Sequence, residues 1–392
     1  MALDFNRIVN RKNTNSLKYD FAVESGKAAD IIPLWVADMD FPTVPEITEA
    51  LVKASQHGIF GYTEVKDDYF KVLYNWFSSH FHWDIDRKWL VKTPGVVFSI
   101  AMAIRAFTKK KDAVLIQRPV YYPFSEVVES NERILVNNPL IYKDGKYHID
   151  YLDFEEKIVK SSVKLFILCN PHNPVGRVWK KEELIQLGDI CVKHNVLIVS
   201  DEIHADFIYP GHEHTVFASL KPEYFNRTIT CTSPSKTFNL AGLQVSNIFI
   251  GNSRLKSDFK MEITKSGYSQ LNTMGLIACQ AAYEYGETWL KELKEYLYGN
   301  LIFLKDFLGK HIPEVTLIEP EGTYLVWIDF NSLNLAEEEL EDLIINNAKL
   351  WLDAGTMFGT EGLGFQRINI ACPRETLTLA LTRLRDALAE RL

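Results

Sequence analysis

The amino-acid sequence predicts an α/β fold in which a mainly parallel sheet is covered by helices on both faces. The main observation is that short apolar runs alternate with longer amphipathic runs between about residues 90 and 250. Such alternation is typical of consecutive strand–helix units, whose strands pair in parallel. The length of 392 residues is more than one compact core usually holds. After Leu271, long helices precede further strands, which indicates a second, smaller α+β domain.

In the first region, apolar runs predict strands at 113–117, 134–136, 163–168, 197–200, 228–232 and 246–250. Amphipathic runs predict helices at 97–108, 122–130, 151–160, 181–194 and 254–265. In the second region, helices are predicted at 273–285, 287–308, 335–354 and 374–392, with strands at 315–319, 324–330 and 367–371. Proline punctuates the segment 33–45, which is therefore predicted to be an extended surface loop. We expect a large domain over residues 45–286 and a small domain made of residues 1–44 and 287–392.

Composition narrows the possible function classes, since 47% apolar and 24% charged residues are typical of a soluble globular protein. The net charge of −8 argues against a nucleic-acid surface. No window holds the roughly 20 apolar residues that a membrane span requires, and the N-terminus lacks a signal-peptide pattern. Five scattered cysteines without metal-ligand spacing favour reduced, buried thiols and no metal site. We therefore expect a cytoplasmic protein that binds neither nucleic acid nor membranes.

A lysine that follows a β-branched run is the first candidate for chemistry. In Ser233-Pro-Ser235-Lys236, two hydroxyl residues flank a proline at a strand end, and the lysine follows at once. A lysine amine can form a Schiff base with an aldehyde, and serine hydroxyls nearby can bind a phosphate; pyridoxal phosphate carries both groups. Taken alone, this pattern is also typical of a surface lysine after a strand.

Two further motifs follow predicted strands. Asp201 comes where the apolar run 196–200 ends, and it can pair with a protonated pyridine nitrogen or simply cap the next helix. It precedes Lys236 by one strand–helix unit, so both can reach the same end of the sheet. Asn170-Pro-His-Asn173-Pro-Val-Gly176 predicts a rigid loop, in which an asparagine can hydrogen-bond the phenolic oxygen of the cofactor. A structural turn would explain either Asn-Pro pair alone.

Two weaker motifs complete the set. Thr93-Pro-Gly95 opens an apolar helix, and the free N–H groups at a helix start attract phosphate. Arg118-Pro-Val-Tyr121-Tyr122 places aromatic rings at a strand end, where one can stack on a flat cofactor. A plain turn and a core or rim tyrosine are the respective alternatives.

In their order along the chain, from Gly95 through Tyr121, Asn173, Asp201 and Lys236 to Arg367, the motifs resemble those of fold-type-I pyridoxal-phosphate enzymes, the aspartate aminotransferase superfamily. The resemblance spans nearly the whole chain and implies a seven-stranded sheet, pyridoxal 5'-phosphate as cofactor and a homodimer. It implies catalytic roles for Lys236 as the Schiff-base lysine, Asp201 as the partner of the pyridine nitrogen and Tyr121 as the stacking ring. Further cofactor contacts are implied for Asn173, Val96, Val97, Ser233, Ser235 and His204, and for Tyr62, which would reach the phosphate of the neighbouring subunit. Substrate contacts are implied for Arg367, which would bind the α-carboxylate, and for Trp35, Asp38, Tyr62 and Asn173.

One branch of this superfamily is more similar than the others. The runs Pro33-Leu-Trp35-Val-Ala-Asp38-Met-Asp40, Lys236-Thr-Phe-Asn-Leu-Ala-Gly-Leu-Gln244 and Pro320-Glu-Gly-Thr-Tyr324 are similar to those of MalY/PatB-type cystathionine β-lyases. At Gln244 many aminotransferases carry an arginine for the phosphate, and at His204 many carry a tyrosine beside the ring oxygen. The loop with Trp35 and Asp38 either lines the substrate side-chain pocket or serves domain packing.

The resemblance implies α,β-elimination on cystathionine-like or cysteine-like amino acids, with a thiol, pyruvate and ammonia as products. Two alternatives stay open at this point. One is an aminotransferase on the same fold, and the other is an added regulatory role in binding a transcription factor. The sequence leaves the preferred sulfur amino acid undetermined, since pocket shape decides among substrates that share the reacting atoms.

Overall fold

Two sheets of unequal size organise the chain in the computed structural model, which describes residues 3–391. The strands are β1 (Ile32–Pro33), β2 (Leu90–Thr93), β3 (Ala113–Ile116), β4 (Ile134–Asn137), β5 (Ile141–Lys143), β6 (Lys146–His148), β7 (Leu165–Cys169), β8 (Leu197–Asp201), β9 (Thr228–Thr232), β10 (Ser246–Phe249), β11 (Thr316–Leu317), β12 (Leu325–Asp329), β13 (Leu350–Trp351), β14 (Asp353–Ala354) and β15 (Phe365–Asn369). The helices are α1 (Pro45–His57), α2 (Asp67–Phe81), α3 (Val96–Phe107), α4 (Pro123–Ser130), α5 (Tyr151–Ser161), α6 (Lys181–Lys193), α7 (Pro222–Phe225), α8 (Pro234–Thr237), α9 (Ser253–Lys265), α10 (Thr273–Tyr285), α11 (Glu287–His311), α12 (Glu337–Asp342) and α13 (Arg374–Ala389). The last residue of the predicted C-terminal helix, Leu392, lies outside the described residues.

The large sheet has seven strands in the order β2-β10-β9-β8-β7-β3-β4. β10 runs antiparallel to both of its neighbours, while β9, β8, β7, β3 and β4 pair in parallel. The predicted α/β fold with a mainly parallel, seven-stranded sheet is confirmed. Because parallel strands end at one edge of a sheet, the residues that follow β3, β7, β8 and β9 are brought close together.

Alternate side chains of the interior strand β7 enter two separate apolar cores. Phe166 and Leu168 pack into one core, and Leu165 and Ile167 pack into the other. Helices α5 and α6 cover the first face, while α3 and α9 cover the second. The sequence of β7 is a continuous apolar run because both faces of the strand are buried.

The smaller body contains a four-stranded antiparallel sheet in the order β11-β12-β15-β14. The 25-residue helix α11 connects the two bodies, and its leucines are buried in the apolar core that lies beneath this sheet. We propose the division into residues 45–286 and residues 1–44 with 287–392 as the domain organisation.

Two predictions of secondary structure were wrong. The helix predicted over 335–354 ends at Asp342, and a π-helical turn follows at Leu343–Asn347. Beyond it, β13 pairs with β1 and β14 pairs with β15, so tertiary pairing overrides the local helical pattern. The segment 33–45 is non-helical as predicted up to Pro45, where α1 begins, but it is not a surface loop, because most of its apolar side chains are buried. Helices α1 and α2 and strand β2 were not predicted.

All five cysteines are free and buried, as predicted. Of the helices within residues 3–391, none is long and apolar enough to cross a membrane. Across the same part of the chain, no three His, Cys, Asp or Glu side chains cluster in a way that could hold a metal ion.

A glycine turn joins the loop after β7 to the smaller body. The carbonyl of Gly176 accepts hydrogen bonds from the N–H groups of Glu321 and Gly322, at 2.8 and 3.0 Å. The Nε of Arg177 lies 2.8 Å from the Glu321 carboxylate in a buried ion pair. Gly176 has φ +72°, and a Cβ there would lie 2.7 Å from the Cβ of Pro320 and 2.9 Å from its Cα.

Gly176→Ala should therefore lower the free energy of unfolding by about 3 kcal/mol, because the side chain adds a clash to a left-handed backbone. Gly211→Ala is the matched control, since Gly211 has φ +90° but no atom within 4 Å of the position that a Cβ would take. Gly211→Ala should lower the free energy of unfolding by about 1 kcal/mol, because it adds only the backbone strain. Urea and thermal midpoints measure both, and equal losses would contradict the role of the junction.

Candidate active site

A cavity of about 190 Å³ lies at the carboxyl ends of the parallel strands. Nine of the residues predicted from sequence line it together: Val96, Val97, Tyr121, Asn173, Asp201, His204, Ser233, Ser235 and Lys236. Other lining residues were not predicted, among them Ala37, Pro94, Cys169, Ile203 and Val245. The ends of four strands, β3, β7, β8 and β9, and the start of helix α3 thus converge on one cavity.

Lys236 occupies the short helix α8, directly after β9. Ser233 begins this helix by accepting a hydrogen bond from the N–H of Ser235 at 3.1 Å. The Nζ of Lys236 donates to the main-chain oxygen of Ala37 at 2.8 Å. Burial of the amine, together with the positive charge of Arg367, lowers the pKa of Lys236 to about 8. A lysine of this kind is neutral in a much larger fraction near neutral pH than a surface lysine is.

Asp201 is the last residue of β8 and is buried. Burial raises the pKa of this carboxyl to about 7, and the charge of Glu202 acts in the same direction. The N–H of Ile203, which donates to Asp201 Oδ1 at 3.1 Å, opposes the shift. A cationic partner in the cavity would stabilise the ionised form, so this position suits a protonated ring nitrogen.

Asn173 connects the cavity to Arg367. The Nη1 of Arg367 donates to Asn173 Oδ1 at 2.9 Å, and its Nη2 donates to the main-chain oxygen of Trp35 at 3.0 Å. Because a guanidinium only donates, the amide oxygen of Asn173 must face it, which leaves the amide NH₂ free to donate elsewhere. Both residues carry predicted substrate contacts, and the structure brings them within hydrogen-bond distance of each other.

The guanidinium of Arg367 is itself fully buried and paired. Asp353, its partner in the register between β14 and β15, forms an ion pair with Nη2. The ring of Phe358 lies 4.8 Å from the Cζ of Arg367. The Nε of Arg367 has no hydrogen-bond partner among residues 3–391. Sequence reasoning missed Asp353, since its distance from Arg367 along the chain gives no signal of contact.

The other end of the cavity suits a phosphate. Helix α3 begins there, and its N-cap residue Gly95 provides no side-chain cap for the first N–H groups, those of Val96 and Val97. Ser235 also lines the cavity. The hydroxyl of Ser233 already donates to the carbonyl of Val245 at 2.7 Å, so its role as a phosphate ligand requires that bond to be exchanged and stays a prediction.

Tyr121 and His204 complete the walls. The N–H of Tyr121 donates to the carbonyl of Asn173 at 3.0 Å, and burial raises the pKa of the Tyr121 phenol, so the ring is uncharged. Burial also lowers the pKa of His204, with the charges of Lys236 and Arg367 as smaller causes. The buried Nδ1 of His204 has no hydrogen-bond partner within the described chain, 3–391.

Four predicted residues do not line the cavity, namely Arg367, which reaches it through Asn173, and Trp35, Asp38 and Tyr62. Trp35 contributes its carbonyl to Arg367 and stacks on Trp351 at 4.4 Å, while the carboxylate of Asp38 binds Arg11 at 2.7 Å. Tyr62 is 96% exposed, and the structure does not bring it to the cavity of its own chain. The substrate contacts implied for these side chains stay predictions.

The residues present fit pyridoxal phosphate. A partly neutral amine, a buried carboxylate, an aromatic ring, an amide NH₂ group and a helix N-terminus surround one cavity. The buried Nδ1 of His204, which has no partner among residues 3–391, could supply a further polar contact to a ring substituent. Each of these groups matches a different part of the cofactor, namely its aldehyde, ring nitrogen, ring face, phenolic oxygen and phosphate.

Comparison with known proteins agrees with this geometry. Residues 29–384 match the family model of aminotransferase class I and II. The chain is 41% identical to cystathionine beta-lyase PatB of Bacillus subtilis over 387 residues, which are 99% of this chain and 100% of that protein. Cystalysin from Treponema denticola, whose crystal structure contains pyridoxal 5'-phosphate, is 39% identical, with a TM-score of 0.97 and 100% of both chains covered. The pyridoxal-phosphate-bound C–S lyase from Staphylococcus hominis is 35% identical, with a TM-score of 0.92, 99% of this chain and 98% of that chain covered.

The pKa of Lys236 gives a test of this site in the cofactor-free protein. Labelling of its amine by acetic anhydride should rise with a midpoint near pH 8, because only the neutral amine reacts. Arg367→Met removes a neighbouring positive charge and should move this midpoint upward. Quantitative peptide mass spectrometry measures both. A midpoint near that of the exposed Lys291 would show that the amine is not desolvated.

Proposed function

The chain belongs to the aminotransferase class I and II family, and from this we propose that it is a pyridoxal-phosphate-dependent C–S β-lyase. It acts on cystathionine-like or cysteine-like amino acids and releases a thiol, pyruvate and ammonia. The observation that carries the proposal is the placement of the Lys236 amine, the Asp201 carboxylate and the helix α3 N-terminus around one cavity, in a chain whose relatives are C–S lyases.

Bound pyridoxal phosphate supplies an electron sink for the α-carbon of the amino acid. Lys236 would hold the cofactor and, once its amine is free, take the proton from the α-carbon as a general base. Its pKa of about 8 suits that role at neutral pH. The C–S bond then breaks, the sulfur leaves with the electron pair, and Lys236 returns the proton to it. Water converts the remaining three-carbon enamine into pyruvate and ammonia.

Other side chains orient the reactants. Asp201, whose ionised form a cationic partner would stabilise, would keep the ring nitrogen protonated, and Tyr121 would pack on the ring face. Arg367 binds the α-carboxylate while Asn173 holds the guanidinium in place. Gln244 is neutral and lines the cavity, so the phosphate depends on the N–H groups of α3 and on hydroxyl donors.

A second copy of the chain would provide a further hydrogen-bond donor to the phosphate. Tyr62 belongs to a segment that exposes three large apolar side chains, Ile59, Phe60 and Tyr62, at 72%, 62% and 96%. Exposed apolar side chains in one short segment favour an interface. We propose a homodimer in which Tyr62 of the partner subunit binds the phosphate.

The activity is tested with purified, cofactor-loaded protein and cystathionine in the absence of any keto acid. Thiol and pyruvate should form, and Lys236→Ala should lower kcat at least about a thousandfold, because both the base and the covalent anchor are lost. Lys291→Ala, an exposed lysine on α11, is the control and should leave the rate unchanged. Borohydride reduction should attach a pyridoxyl mass to the peptide that contains Lys236. Turnover that requires a keto acid would instead identify an aminotransferase.

The shared site is tested by mixing two inactive variants, Tyr62→Ala and Lys236→Ala, and letting their subunits exchange. If Tyr62 serves the partner's site, each hybrid dimer contains one intact site, and about a quarter of the wild-type sites return in an equal mixture. If Tyr62 acts within its own chain, every site stays defective and mixing restores nothing. Unmixed variants carried through the same exchange procedure are the controls.

A further inference from the structure

A cluster of four charges, two of them buried and two half-buried, lies beside the cavity, and of its members only Asp38 was given a role above, as an implied substrate contact. Arg11 and Lys18 provide the cations, and Asp38 and Asp40 provide the carboxylates. Arg11 binds Asp38 at 2.7 Å and Asp40 at 2.7 Å, and the Nζ of Lys18 lies 3.1 Å from both oxygens of Asp40. Lys18 and Asp40 are only 1% and 4% exposed. Charges this deeply buried destabilise a protein unless they are paired, so Lys18 and Asp40 depend on their partners, whereas Arg11 and Asp38 each keep 22% of the side chain exposed.

The two cations belong to the N-terminal arm, which we define as residues 3–31. This arm contains only turns and extended chain, without a helix or strand of its own. The two carboxylates belong to the loop 35–40, which connects β1 to the segment before α1. The cluster therefore connects the N-terminal arm, which has no helix or strand, to the loop 35–40 by ion pairs.

The loop 35–40 contacts the two cations of the proposed site through its main chain. The carbonyl of Ala37 accepts from Lys236 Nζ at 2.8 Å and from the Tyr324 hydroxyl at 3.0 Å. The carbonyl of Trp35 accepts from Arg367 at 3.0 Å. A shift of this loop would therefore move an acceptor of the lysine amine and an acceptor of the guanidinium together.

The backbone and the side chains of the loop are held in different ways. Asn239 and Asn369 bind the main chain of residues 36–41 with hydrogen bonds of 2.7 to 3.1 Å. For the Asp38 carboxylate, the cationic partners within residues 3–391 are both arm residues, Arg11 at 2.7 Å and Lys18 at 3.5 Å. The arm thus determines how much of the charge of Asp38 is neutralised.

We infer that Arg11 is a positioning residue for the lysine of the proposed reaction, and that it acts by pairing with Asp38 beside that lysine. The inference rests on the proposed function of Lys236. With Arg11 in place, the loop presents the Ala37 carbonyl to the amine without adding an uncompensated negative charge. The amine is then oriented by one hydrogen bond and keeps its lone pair for the α-carbon proton.

The electrostatic surroundings of the lysine support this role. Four titratable or charged side chains face Lys236, namely Arg367 from β15, Asp38 from the loop, Asp201 from β8 and His204 from the segment after β8. The pKa of Lys236 is lowered first by burial and then by Arg367, whereas Asp38 and Asp201 raise it. An Asp38 that loses its cation would raise that pKa further, because an unpaired anion stabilises the protonated amine.

The test uses the holoenzyme and follows the pH titration of the cofactor absorbance without substrate. Arg11→Gln should move the midpoint of the Schiff-base nitrogen upward by about one pH unit, since Asp38 is then left with Lys18 at 3.5 Å as its cation and a less neutralised carboxylate favours the protonated form. At pH 7, kcat should fall about tenfold and recover as the pH rises, because the neutral amine becomes rarer by that factor. Lys12→Gln, the neighbouring exposed lysine, removes the same charge and should change neither value.

A charge-compensated variant separates this role from a structural one. Asp38→Asn should move the midpoint downward, and Arg11→Gln with Asp38→Asn should return it close to the wild-type value. An unshifted midpoint in Arg11→Gln, even with a lower Tm, would overturn the inference and leave the proposed function intact. If Arg11→Gln does not fold, the Asp38→Asn variant is measured alone. A downward shift of its midpoint supports the inference, and an unchanged midpoint overturns it. Wild-type protein without any Schiff-base absorbance would overturn both proposals.

Discussion

The removal of one lysine amine from water is the constraint on which the rest of this site depends. Water stabilises the charged form of an amine, so a buried amine gives up its proton more readily. The same enclosure acts on Asp201 in the opposite sense, because there the charged form is the deprotonated one. One physical cause therefore brings an amine and a carboxyl toward neutral pH from opposite sides, at about 8 and about 7. Both groups can then change protonation state in the range where the protein works.

The burial that lowers the pKa of the lysine imposes a second requirement, because the site also contains a permanent cation, the guanidinium of Arg367. Arg367 lowers the pKa of Lys236, but an unpaired guanidinium in the same enclosure would be costly. Asp353 pairs with it on one side, and Asn173 and the Trp35 carbonyl accept from it on the other. The guanidinium is fixed before any substrate arrives, which reduces the entropy lost when a carboxylate binds. The Nε–H of Arg367 has no acceptor among residues 3–391, so it can still donate a hydrogen bond.

The loop 35–40 is where the two bodies of the chain and the N-terminal arm meet. Its carbonyls contact Lys236 and Arg367, and its carboxylates bind cations of the arm. Asn239, three residues after Lys236, binds the same loop from the large body, and Asn369 binds it from the small sheet. Any relative movement of the bodies is therefore transmitted to the acceptors around the lysine. This position explains why a proline-punctuated segment is buried, although its sequence is typical of a surface loop.

The local sequence determined the strand–helix alternation and the residues that end each strand, because apolar periodicity and turn chemistry act over a few neighbouring residues. Lys236, Asp201 and Asn173 could be predicted for that reason: parallel strands must end at one edge, so residues after them must meet. Tertiary structure alone decided the partners that come from distant segments. Asp353 reaches Arg367 only because β14 pairs with β15, and the pairing of β13 with β1 ends a segment whose pattern is helical. The Arg11–Asp38 ion pair likewise depends on a contact between remote parts of the chain, which leaves no periodic signal in the sequence.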